Sequence, residues 1–186
     1  MATRPILRLG DPLLRSPARA LDPSEVGRGE IQDLIDDMVE TMRAASGVGL
    51  AAPQLGVPLQ IFVYERHNEE DPSLGDIPLR VVINPMVAPT THELSYDWEG
   101  CLSIPDLRGL VPRQLGVRVR CLDRTGRAVD YIAHGFEARI IQHEFDHLNG
   151  VVFLDRMRDL RTLGFSEEWQ RFLAHGDAQD ERAALG

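Results

Sequence analysis

The run His143-Glu144-Phe145-Asp146-His147 carries the strongest chemical signal in this sequence. On an α-helix, positions i and i+4 share a face, so the two imidazoles can close on a single metal ion. Glu144, beside the first of them, can reach a water on that ion without ligating it. The rival reading is a charged surface face with two incidental histidines. The spacing of Phe136, Ile140, His143 and His147 argues against it, because the histidines continue an apolar stripe.

Two imidazoles do not complete a catalytic metal site; a third protein ligand is required. One zinc-protease pattern takes a histidine three residues after a glycine, but here Gly150 is followed by Phe153, which cannot bind metal. Another pattern takes a downstream glutamate; Glu167 and Glu168 lie in or near a tail helix with no evident route to the site. Upstream, Glu99-Gly100-Cys101-Leu102-Ser103 offers a better candidate. A Cys101 thiolate with two neutral imidazoles would partly neutralise a divalent ion and leave a coordination position open. Cys121 falls on the apolar phase of a strand and reads as a small buried hydrophobe.

The elements that must position these groups follow from periodicity. Ile31, Leu34, Ile35, Met38 and Met42 predict a helix over residues 27–45, stopped by Gly47. Residues 47–54 are too rich in glycine and proline for a helix interior. Strands are expected at residues 61–65, 79–87, 94–98, 116–122 and 127–133, the last two joined by a hairpin turn at 123–126. A polar loop is expected at residues 65–78. The ligand helix is expected to open at Gly135 and run to Leu148. A short third helix capped by Ser166 would place Phe165, Trp169, Phe172 and Leu173 on one face, and fraying is expected after His175. The lead-in, residues 1–23, reads as extended, with turns at Asp11-Pro12 and Asp22-Pro23. The expected fold is α+β: antiparallel sheets packed around a central metal-binding helix, with an N-terminal helix and a short C-terminal helix. Residues 1–165 would form the catalytic domain, and residues 166–186 the C-terminal helix and flexible tail.

Bulk properties agree. The 186 residues suit one domain, and 43% hydrophobic with 26% charged residues is a globular rather than a disordered mix. A net charge of −9 weighs against direct nucleic-acid binding through a basic surface. No apolar run is long enough to span a membrane. The first twenty residues lack the apolar stretch of a secretion signal, and Gly10-Asp11-Pro12 would break a transit helix. Two cysteines cannot build a disulfide framework, so a cytoplasmic location is expected.

Three stretches together resemble the peptide deformylase family: Gly47-Val48-Gly49-Leu50-Ala51-Ala52-Pro53-Gln54, then Glu99-Gly100-Cys101-Leu102-Ser103, then Gln142-His143-Glu144-Phe145-Asp146-His147. Their order and separations also match, and Ile6-Leu7-Arg8-Leu9-Gly10-Asp11-Pro12-Leu13-Leu14-Arg15 is similar to the family's start. The resemblance implies that Cys101, His143 and His147 bind one metal ion, commonly Fe2+, with Zn2+, Ni2+ or Co2+ as substitutes. It implies hydrolysis of the formyl group from the N-terminal methionine of nascent polypeptides. Glu144 would move the proton, and the Gln54 amide and the Leu102 N–H would meet the developing oxyanion.

Other expectations come from the residues themselves. Gly47-Val48-Gly49 would let a substrate backbone approach closely. Phe136 and Ile140, with Val48 opposite, would wall an unbranched apolar pocket, although core packing explains the first two equally well. Arg113 is expected to pair with Asp146, and Glu99 to orient a ligand. Some family members are thought to dock on the ribosome through a basic C-terminal helix. Here the tail carries Glu167, Glu168, Asp177, Asp180 and Glu181 against two arginines, so any ribosome encounter would use another surface. Two rival functions share the ligand pattern: a zinc endopeptidase or amidase, and a non-enzymatic metal or redox sensor.

Overall fold

The computed structural model describes residues 2–67 and 75–173. Helix α1 spans Gly29–Ala44 and α2 spans Gly135–Leu148. Strands are β1 (Gly49–Ala51), β2 (Ile61–Arg66), β3 (Ile77–Pro89), β4 (Leu94–Cys101), β5 (Ile104–Gln114), β6 (Gly116–Leu122), β7 (Ala128–His134) and the short β8 (Gly164–Phe165). A brief helical turn, α3 (Ser166–Glu168), runs on into a wider π turn at Trp169–Leu173. The fraying expected after His175 and residues 68–74 of the expected polar loop lie outside the described residues.

All strand pairs are antiparallel, in two sheets ordered β1-β2-β3-β6-β7 and β4-β5-β8. The residue pattern of β2 explains how the larger sheet is covered. Side chains alternate across a strand. Phe62 and Tyr64 join Ile140, Ile141 and Ala138 of α2 in one core cluster, while Ile61 and Val63 join Ile35, Met38 and Met42 of α1 in another. Both faces are therefore buried, and α2 lies under the sheet with its metal-binding pattern facing β4. A third cluster, Ile104, Val111, Val152 and Phe153, packs the smaller sheet. The α+β architecture thus follows the sequence-based expectation.

Three local expectations need correction. Gly47 is not the residue that ends α1: Ser46 adopts the left-handed conformation (φ 52°). Ser46 N–H donates to Arg43 O at 3.0 Å and Gly47 N–H to Met42 O at 2.9 Å, a Schellman closure of the last carbonyls. Ser166 does not cap α3; Phe165 occupies that place, and no side chain accepts there. The shared apolar face of the tail also fails to form a buried stripe. Phe165 and Phe172 stay 61% and 66% exposed, whereas Trp169 packs on Trp98, where the chain runs through a π turn instead of an α-helix.

Strand β5 was not among the expected strands. Pro105, Gly109 and Pro112 disguise it. Pro105 falls where the β4–β5 register shifts, between the pairs Gly100↔Arg108 and Cys101↔Ile104, and Pro112 lies on a stretch that β8 leaves open. A missing N–H is tolerated at such positions. The left-handed Asp106 (φ 64°) accommodates the same shift.

Candidate active site

A cleft of about 490 Å³ opens between β1, β4, β5 and α2. Its floor holds Cys101 at the end of β4 and His143 and Glu144 on α2. The sulfur of Cys101 and one ring nitrogen each of His143 and His147 lie within 4.8 Å of one another. Cys101 Sγ stands 3.3 Å from His147 Nε2. A tetrahedral edge built on bonds of about 2.0–2.3 Å is roughly 3.5 Å, so the donor set fits one divalent ion. Burial pushes the His147 imidazole well below its ordinary range, toward the neutral form that ligates metal. Burial acts the same way on His143, but Cys101 and Glu99 outweigh it and raise that ring well above its ordinary range. Phe153, at the position where a third histidine would stand in the protease pattern, instead stacks on the His143 ring, 6.4 Å between centroids at 19°.

Glu99 is buried and aims at His143: its Oε2 lies 2.9 Å from Nδ1. Burial opposes its charge, yet His143 and Arg113 hold the carboxyl well below the usual carboxylate range. An ionised carboxylate only accepts, so Nδ1 carries a proton toward Glu99, and Nε2, on the sulfur side, is the nitrogen a metal ion would take in place of its proton. Arg113 donates from Nε and Nη2 to Glu99 at 2.9 and 3.0 Å, and from Nη1 to Asp146 Oδ2 at 2.6 Å. The expected Arg113–Asp146 pair is therefore formed. Two arginines that sequence reasoning missed complete the network. Arg139 donates to Glu99 Oε1 at 2.7 Å and to the carbonyls of Val111 and Ser95, and Arg156 donates to Asp146 at 2.6 and 3.1 Å. Arg139 had one visible signal: it precedes His143 by four residues, on the same buried stripe. Buried charges need this kind of full pairing, and here it clamps the ligand helix to β4 and β5.

Glu144 is buried, and burial pushes its carboxyl up to about 7. Among the described residues its Oε2 has no hydrogen-bond partner. An orphaned carboxylate oxygen beside a metal-ligand cluster is the arrangement a reacting water would satisfy. Gly49 makes room for it: a Cβ there would stand 2.8 Å from Glu144 Cδ and 2.9 Å from Cγ. At Gly47 a Cβ would meet Leu102 Cδ1 at 2.8 Å. Both glycines line the cleft, and a side chain at either would collide with Glu144 or Leu102. Gly49→Ala should therefore displace the Glu144 carboxylate and lower kcat by about 100-fold, the typical cost of a misplacement near 1 Å. Metal content measured on the same sample should stay at the wild-type level; an unchanged kcat would show that Glu144 accommodates the methyl group.

Gln54 follows β1 in a buried 3₁₀ turn. Its Oε1 accepts from Ala51 N–H at 2.8 Å, which fixes the amide so that Nε2 faces the cleft. Nε2 donates to Ser103 Oγ at 3.1 Å and lies 3.7 Å from Cys101 Sγ. The side chain thus bonds its own backbone and also presents a donor to the site. Ser103, fully buried, is a second positioning residue that sequence reasoning passed over. The extended N-terminus backs both loops: Leu7 N–H donates to Gln54 O and Leu9 N–H to Ser103 O, each at 2.8 Å. Val48, Phe136 and Ile140 all line the cleft; Ile140 is buried, whereas Val48 and Phe136 are 38% and 39% exposed at its rim. Cys121 is buried in the large sheet, away from the cluster, and burial pushes its thiol up to about 11.

Comparison with known proteins agrees with this geometry. The family model described as "Polypeptide deformylase" matches residues 3–162. "Peptide deformylase 1" of Nitrosomonas europaea is 45% identical over 165 residues, covering 88% of this chain and 93% of its own. "Peptide deformylase 1" of Bordetella pertussis is 46% identical, covering 87% and 92%. Among solved structures, a class I type b peptide deformylase from Acinetobacter baumannii superposes with a TM-score of 0.79 at 37% identity, covering 84% of this chain and all of that one. A match over nearly the whole length, on a fold that here closes a Cys-His-His cluster, places this chain in the peptide deformylase family.

Proposed function

We propose that this chain hydrolyses the N-formyl group from the N-terminal methionine of nascent polypeptides, releasing formate. The observation that carries the reading is the buried, unpartnered Glu144 oxygen beside the Cys101-His143-His147 cluster, in a cleft open to a peptide. Family membership supports it, and a related enzyme of A. baumannii has been crystallised with Met-Ala-Ser, a peptide of the kind deformylation produces.

In this reading Cys101, His143 and His147 hold one divalent ion, Fe2+ in the cell. The same donors accept Zn2+, Ni2+ or Co2+, and because intrinsic affinity rises from iron to nickel, supply decides occupancy. Bound there, a divalent ion supplies Lewis acidity, which acidifies water and polarises a carbonyl oxygen. Glu144 takes a proton as the water oxygen bonds to the formyl carbon. Gln54 Nε2 and the Leu102 N–H donate to the oxygen that gains negative charge. Glu144 then gives its proton to the methionine nitrogen as the carbon–nitrogen bond breaks, leaving formate and a free amine. Glu99 keeps His143 in the ligating tautomer, and the Arg113–Asp146 pair steadies α2. Val48, Phe136 and Ile140 receive the unbranched methionine side chain.

Residues 1–165 carry this chemistry. Nascent chains imply a transient ribosome encounter in the cytoplasm, on a surface other than the acidic tail. No described helix is long and apolar enough to cross a membrane. The test sets formyl-Met-Ala-Ser beside acetyl-Met-Ala-Ser and casein. Formate release without cleavage of the other two is expected; casein cleavage without formate release would make the chain an endopeptidase instead.

A further inference from the structure

At one wall of the cleft the residues of the C-terminal segment meet those of the metal-site strand. The β4–β5 register sets Arg108 opposite Gly100, the neighbour of Cys101. Gly100 has no side chain, so Arg108 lies across it: its Cγ and Cζ stand 3.7 and 4.0 Å from where a Gly100 Cβ would be. The Arg108 backbone is paired with Gly164 of β8. Its guanidinium lies 4.6 Å from the centre of the Trp169 ring, and that ring in turn packs on Trp98 at 6.1 Å. Among the described residues no carboxylate forms an ion pair with Arg108.

Stacking engages the face of a guanidinium and leaves the in-plane N–H donors free. Arg108 therefore presents a fixed set of hydrogen-bond donors to the cleft that Cys101 also lines. An extended peptide advances about 3.3 Å per residue. A chain whose formyl carbon sits at the cluster would carry its next main-chain carbonyls past this position.

We propose that Trp169 is a positioning residue for substrate: it holds Arg108 so that the guanidinium donates to the peptide main chain at the third residue, two beyond the formyl-methionine. The C-terminal segment is then part of the substrate groove rather than an appendage. This rests on the deformylase reading above. The Trp169 indole Nε1 is buried without an acceptor among the described residues, so the ring works by stacking, and phenylalanine should replace it.

The test compares kcat/KM for formyl-Met-Ala-amide and formyl-Met-Ala-Ser-amide in the full-length protein. A charge-assisted bond to the longer peptide should give the wild type an advantage of about tenfold for it, carried in KM. Trp169→Ala and Arg108→Ala should each bring that ratio close to one, the double variant should go no further than Arg108→Ala alone, and Trp169→Phe should keep the wild-type ratio. An unchanged ratio in Trp169→Ala, or an equal loss on both peptides, would overturn the proposal, the second by showing a purely structural role. A wild-type enzyme inert on both amides would instead sink the deformylase reading itself.

Discussion

Replacing Glu144 by glutamine is expected to lower kcat for formate release by about 10³-fold, within the usual range for loss of a general acid–base group. Glutamine keeps the size and shape that fill the space beside Gly49, so packing and metal content should survive. What is lost is the ability to accept the water proton and return it to the amine. Burial prepares Glu144 for both halves of that task, since a carboxyl pushed up to about 7 neither holds its proton too weakly nor refuses it near neutral pH. Kinetics with elemental analysis on the same protein decide the matter. Near wild-type turnover would take the proton-transfer role away from Glu144.

The second large effect belongs to Cys101. Serine at this position offers a neutral hydroxyl in place of a thiolate, and affinity for the ion should fall by more than about 100-fold, beyond what changes in the surrounding hydrogen bonds alone produce. Activity should disappear with the metal. Aspartate restores an anionic ligand, so Cys101→Asp should retain metal better than the serine variant. Competition against a chromogenic chelator measures both. If the serine variant held its ion as tightly as the wild type, the third ligand would have to be sought elsewhere.

The two ends of the site differed in how far they could be read from sequence. The spacing of His143 and His147 on an apolar stripe predicts their shared face, and α2 runs over the expected span. Cys101 emerges because Phe153 closes the competing pattern. The packing that makes the cluster work is less visible. Arg139 reaches Glu99 across 40 residues and Arg156 reaches Asp146 across 10, and beyond the place of Arg139 on the stripe of His143 no local spacing announces these pairs. Gly49 reads as room for a substrate backbone, and that its missing Cβ also makes room for Glu144 shows only in the fold. β5 hides behind two prolines that only its sheet neighbours make acceptable. The tail misleads because its apolar spacing fits an α-helix, whereas the chain widens into a π turn that leaves Phe172 exposed and Trp169 packed on Trp98.

The most direct test of the whole account is formate release from formyl-Met-Ala-Ser by wild-type protein prepared without oxygen and shown by elemental analysis to carry one Fe2+ or Ni2+ per chain. The account predicts rapid, stoichiometric release of formate and Met-Ala-Ser. Metal-loaded protein that leaves the formyl peptide intact would contradict it, and would mean that this cluster serves a different substrate.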